Sequence, residues 1–160
     1  MELLMNPTLP PTRFAARRTL LLGALLLAAG AAGAGNPFTF QRPPASPAEY
    51  ASERLSAQGG YRVSYRADGG VPIGRLHAWT LHVARADGTP VTDAAIAVDG
   101  DMPQHLHGLP TRPRVTRHLG NGDYLLEGVK FQMGGWWVMD FDITAGGRTE
   151  RVRFNLDLKK

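Results

Sequence analysis

The chain has 160 residues, 43% of them apolar and 20% charged, with a formal net charge of +4 and no cysteine. The lack of cysteine excludes disulfides, thiolate metal sites, a thiol nucleophile and a lipid-modified cysteine anchor. The arginines are scattered rather than clustered among aromatics, so a surface that tracks nucleic-acid phosphates is excluded as well.

Arg13, Arg17 and Arg18 precede an apolar run over residues 20–34 that ends in Ala32-Gly33-Ala34. A basic start, an apolar stretch and a small-residue exit make a secretory signal, expected to be cleaved after Ala34. At about 15 residues the run is shorter than the roughly 20 that a spanning helix needs, although an uncleaved N-terminal membrane anchor is the other reading of 1–34. Arg17-Arg18 also resembles a twin-arginine signal. Export predicts a periplasmic protein that meets the membrane only through this segment. Once Glu2 and the three arginines are set aside, 15 basic residues face 13 acidic ones. The remainder is the size of one domain.

Residues 36–47 contain Pro37, Pro43, Pro44 and Pro47, which suit an extended tether. Ser46 and Pro47 are placed to start a short surface helix over 48–57, so 35–60 reads as a Pro-rich linker with that helix. From Tyr61 onward the pattern has period two between turn residues, and 61–160 reads as an all-β domain. Strands are expected at 61–66, 76–84, 94–98, 114–119, 124–131, 136–143 and 149–158. Val152, Phe154, Leu156 and Leu158 alternate with Arg151, Arg153, Asn155 and Asp157, giving the last strand one wet face. Trp137, Met139, Phe141 and Ile143 alternate in the same way with Asp140 and Asp142, and 145–147 makes the turn between the two strands. Asn121-Gly122 is a two-residue hairpin turn. Tyr124 just beyond it is placed to fold its hydroxyl back onto backbone. About seven strands with such a tyrosine corner predict an antiparallel, immunoglobulin-like β-sandwich.

Chemistry concentrates in the stretch 99–113, read as a long loop with Pro103, Pro110 and Pro113 and the pair His105 and His107. In extended backbone those two imidazoles point to one side and reach one ion. Met102 precedes them, and Met133 lies in a second turn, 131–135, that leads into Trp136 and Trp137. If the sandwich brings that turn to the same end, Met102, His105, His107 and Met133 form an imidazole and thioether cluster. Soft ligands of this kind favour copper as Cu(I) over zinc. The plainer alternatives are that the methionines fill core and that the prolines stiffen a surface loop. His77, on the inward face of its strand with Trp79, Leu81 and Val83, reads as a hydrogen-bonded core histidine or as a further ligand. His82 and His118 read as exposed strand residues without a role. No nucleophile elbow, flanking carboxylate pair or phosphate loop is present, so an enzyme is not expected.

Asp101-Met102-Pro103, His105-Leu106-His107-Gly108, Leu109-Pro110-Thr111, Gly122-Asp123-Tyr124 and the segment Phe131-Gln132-Met133-Gly134-Gly135-Trp136-Trp137 resemble the YtkA-like domain over residues 75–158. The second turn departs from the family in having Gly134-Gly135 where a proline often stands. The resemblance implies an immunoglobulin-like sandwich. Related domains, FixH-like proteins among them, occur beside copper-handling and cytochrome oxidase assembly proteins, so it also implies envelope proteins of those kinds as partners. Some members carry an auxin-binding label, which no motif here explains. The rival expectation is a metal-free envelope interaction or small-ligand-binding module built on the Pro-rich loop and Trp136.

Overall fold

The computed structural model describes residues 41–159. The expected signal segment and the start of the tether lie outside the described residues. The seven expected strands all form, and two short ones join them. The first sheet has the order β1-β2-β3-β7-β6, from Glu53–Leu55 (β1), Tyr61–Arg66 (β2), His77–Arg85 (β3), Asp123–Val129 (β7) and Arg114–Gly120 (β6). The second has the order β5-β4-β8-β9, from His107–Gly108 (β5), Ala95–Met102 (β4), Gly135–Ala145 (β8) and Arg148–Leu158 (β9). All strand pairs are antiparallel. The result is the expected immunoglobulin-like sandwich, with nine strands among the described residues.

Alternation decides which side chains fill it. Trp137, Met139, Phe141 and Ile143 of β8 are fully buried, as are Val152 and Phe154 of β9. Across from them stand Val63, Trp79, Leu81, Val83 and Leu126 of the first sheet. On the outer face, Arg151 bonds Asp142 and Arg153 bonds Asp140, each through two nitrogens at 2.7 to 2.8 Å. Two turns match the sequence reading. Asn121 at φ 50 and Gly122 at φ 77 close the β6–β7 hairpin. The Tyr124 hydroxyl donates to Val91 O at 2.7 Å and accepts from Ala94 N at 2.9 Å, which makes the tyrosine corner.

Two expectations are corrected. The helix over 48–57 is a single 3-10 turn, Pro47–Tyr50, and Ala51 is already extended before β1 pairs with β2. The Glu49 carbonyl that a continuing helix would use accepts instead from Asn155 Nδ2 and Arg54 Nη1, at 3.0 and 2.9 Å. With almost no apolar face, the segment gains more from an edge pairing than from a helix. The loop expected over 99–113 is mostly a hairpin. β4 runs on to Met102 because Asp99, Gly100 and Asp101 pair with Asp140, Met139 and Val138 of β8. Two aspartates and a glycine have poor strand propensity, but a ladder partner on a central strand overrides it.

Candidate functional site

The β4–β5 hairpin turns over 103–106, with the amides of His105 and Leu106 both donating to Met102 O at 2.8 and 3.1 Å. Leu106 takes φ 54, so the backbone between the two histidines is not extended. Their rings nonetheless stand 5.9 Å apart centre to centre. An imidazole bound at about 2 Å has its ring centre roughly 3 Å from the ion, so two rings sharing one ion lie roughly 5 to 6 Å apart. The separation of the two rings lies in that range, and the turn rather than strand alternation sets it.

Met102 and His107 are direct cross-strand partners and so share one face of the sheet. That face is inward. Met102 is 1% exposed, and a Cβ on Gly135 would come within 2.6 Å of its Cε. Met102 is therefore packed in the core, and it lies across the ladder from His107. The His107 ring meets the Trp137 ring edge-on at 5.7 Å. The Trp137 indole N–H donates to Met133 O at 3.0 Å, and Gln132 Nε2 lies 3.0 Å from His107 Nδ1. The turn over 131–135 and the histidine hairpin thus occupy the same end of the sandwich. Met133 is half-buried and packs against the core.

His77 stands apart from this pair. It connects to His107 through a relay of rings, with centres at 5.8 Å to Phe131, 5.2 Å on to Trp137 and 5.7 Å on to His107. Its Nδ1 lies 3.2 Å from Arg75 O, and its Nε2 is buried without a protein partner, as is Trp79 Nε1. Desolvation lowers its pKa, against an opposing pull from the Arg75 carbonyl. A neutral ring with Nδ1–H on a carbonyl and a bare Nε2 is the form in which histidine ligates metals.

Among the described residues no group of three or more His, Asp or Glu is placed to hold an ion. An ion at the His105–His107 pair would need thioether or solvent ligands besides the two rings. A concavity of about 600 Å³ lined by Tyr50, Tyr65, Leu156 and Leu158 among others includes none of the five candidate ligands.

Residues 71–141, a little under half of the chain, match the family model described as YtkA-like. Over those residues the chain is similar to the YtkA-like family. Its matched part spans β3 to β7 and most of β8, including the histidine hairpin and the turn at Met133. β1, β2 and β9 lie outside the match, though they complete both sheets of the sandwich. No curated protein and no solved structure matches the sequence.

Sequence reasoning missed two features. Gln132 stood inside a quoted motif, but only the fold shows it against His107. His82, read as exposed and without a role, is half-buried and bonds Asp123 through Nδ1 at 2.7 Å, with Ser64 its register neighbour on β2. Alternation in β2, β3 and β7 was the available signal for that row. Trp136, expected at a contact surface, is 6% exposed and donates to Asn155 Oδ1 at 3.0 Å.

Proposed function

We propose that this is an exported copper-binding accessory protein that takes up and releases Cu(I) at the His105–His107 pair. The observation that carries the reading is the 5.9 Å separation of two imidazoles on a tight turn. Met102 and Met133 are the candidate thioether ligands, and soft sulfur favours Cu(I). His77, with its bare Nε2, is the weaker candidate and belongs to a different position in the fold. A carrier needs exchange rather than catalysis, and a ligand pair at the open end of a rigid sandwich suits exchange. The basic and apolar N-terminal segment supports a periplasmic location, either free or held at the inner membrane. Envelope copper-handling or oxidase-assembly proteins are the partners of this reading.

The test is a competition titration with Cu(I), Cu(II) and Zn(II), beside a His105→Ala/His107→Ala variant checked for unaltered melting. One-to-one Cu(I) binding that weakens at least a hundredfold in the variant is expected. Binding no tighter than millimolar would end the copper reading.

One observation favours a metal-free interaction module instead. Leu106, at the tip between the histidines, is 86% exposed. A large apolar side chain held out at a turn suits a protein contact, with Leu106 in the place the sequence reading gave to Trp136.

A further inference from the structure

Gln132 is exposed and belongs to neither sheet, yet its amide lies within hydrogen-bond reach of the His107 ring. Its Nε2 lies 3.0 Å from His107 Nδ1 and 3.3 Å from Gly108 O. The same Nδ1 lies 3.3 Å from that carbonyl. A side-chain amide has two N–H donors and one acceptor oxygen on a group of nearly symmetric shape, so either end can face the ring. With the NH2 end inward, one N–H donates to the lone pair on Nδ1 and the other to Gly108 O, and both acceptors are satisfied. A neutral imidazole carries one proton, which in that arrangement is on Nε2.

Nδ1 is engaged, so Nε2 is the nitrogen left to face an ion. To bind one it must give up its proton, and a neutral bound ring then carries the proton on Nδ1. That N–H needs an acceptor. Gly108 O is one, and Gln132 Oε1 becomes the other once the amide turns over. The exchange balances: one proton leaves Nε2, one is taken up at Nδ1, and the ring stays neutral.

We infer that Gln132 is the positioning residue of His107, holding the ring with Nε2 outward and turning its amide over when Nε2 takes an ion. The inference rests on the copper reading of the His105–His107 pair. Outer partners of this kind typically change metal affinity about 10- to 100-fold.

The experiment uses the full chain, with Gln132→Glu and Gln132→Leu beside His105→Ala/His107→Ala. Long-range nitrogen–proton NMR reports the His107 tautomer before and after Cu(I), which is diamagnetic. The ion-free chain is expected to show the Nε2–H form and the loaded chain the Nδ1–H form. Gln132→Glu can only accept, so it is expected to show Nδ1–H before loading and to bind Cu(I) about tenfold more tightly. Gln132→Leu is expected to bind about 10- to 100-fold more weakly. An Nδ1–H ring in the ion-free natural chain, or both variants within twofold of it in affinity, would overturn the inference. Unchanged affinity in the double histidine variant would instead remove the copper site, and the ion-free tautomers would still decide whether Gln132 sets the ring.

Discussion

Leu106 holds the left-handed region at φ 54 with most of its side chain in solvent. For a residue with a Cβ that conformation costs on the order of 1 kcal/mol, and asparagine tolerates it better because its short polar side chain bonds local backbone. Leu106→Asn is therefore expected to raise stability by up to about 1 kcal/mol, read from urea unfolding. The same variant bears on both functional readings. A carrier that uses only the flanking rings keeps its Cu(I) affinity, whereas a contact surface loses the apolar group it presents. A fall in stability would show that Leu106 makes a contact that its exposure hides.

The β4–β5 hairpin is the element that builds the site, and Gly100 is what lets it close. A Cβ there would stand 2.6 Å from Leu109 Cδ1 and 2.7 Å from Met139 Sδ. Leu109 N in turn donates to Gly100 O at 3.0 Å. Gly100→Ala is expected to cost about 1 to 3 kcal/mol by overpacking. The cost should shrink in a Leu109→Ala background, where one of the two colliding groups is gone and only Met139 Sδ remains, and a double-mutant cycle measures the difference. Equal costs in both backgrounds would place the strain elsewhere. This hairpin also shows where the sequence was legible and where it was not. Alternation in β8 and β9 and the Asn121-Gly122 turn depend on local rules, so those elements could be read directly. The extension of β4 through Asp99-Gly100-Asp101 depends on pairing with β8, some forty residues away, and no local pattern carries that. The two histidines could be read as a pair from their spacing, but the conformation that joins them is Leu106's. Gln132 beside His107 is a tertiary contact between two turns, invisible to any local pattern.

At the scale of the molecule, the two sheets are stitched at one edge by a buried carboxylate. Glu150 on β9 has a side chain 3% exposed. It accepts from the Ser56 hydroxyl at 2.6 Å, from Gly60 N at 3.0 Å and from Arg148 Nη2 at 2.6 Å. Ser56 Oγ accepts from Tyr61 N at 2.9 Å, so the connection reaches the start of β2. The Ser56 hydroxyl first, and then Arg148, hold the Glu150 carboxyl below its ordinary 4.5, while desolvation opposes them. A carboxylate with a depressed folded-state pKa stabilises the fold above its ordinary value. That contribution is lost as pH falls from about 4.5 through the folded-state pKa. Glu150→Gln keeps the shape but removes the charge and sets an NH2 group among three donors, which is expected to cost about 1 to 3 kcal/mol at pH 7. Urea unfolding of both chains from pH 7 to pH 3 checks the sign. The gap between them should hold down to about pH 4.5 and narrow below it, because protonation brings the natural side chain toward the state that the variant occupies throughout. A gap of constant size across that range would mean that the misplaced NH2 group rather than the lost charge sets the cost, and no gap at pH 7 would mean that shape alone makes Glu150 the link between β9 and the segment leading into β2.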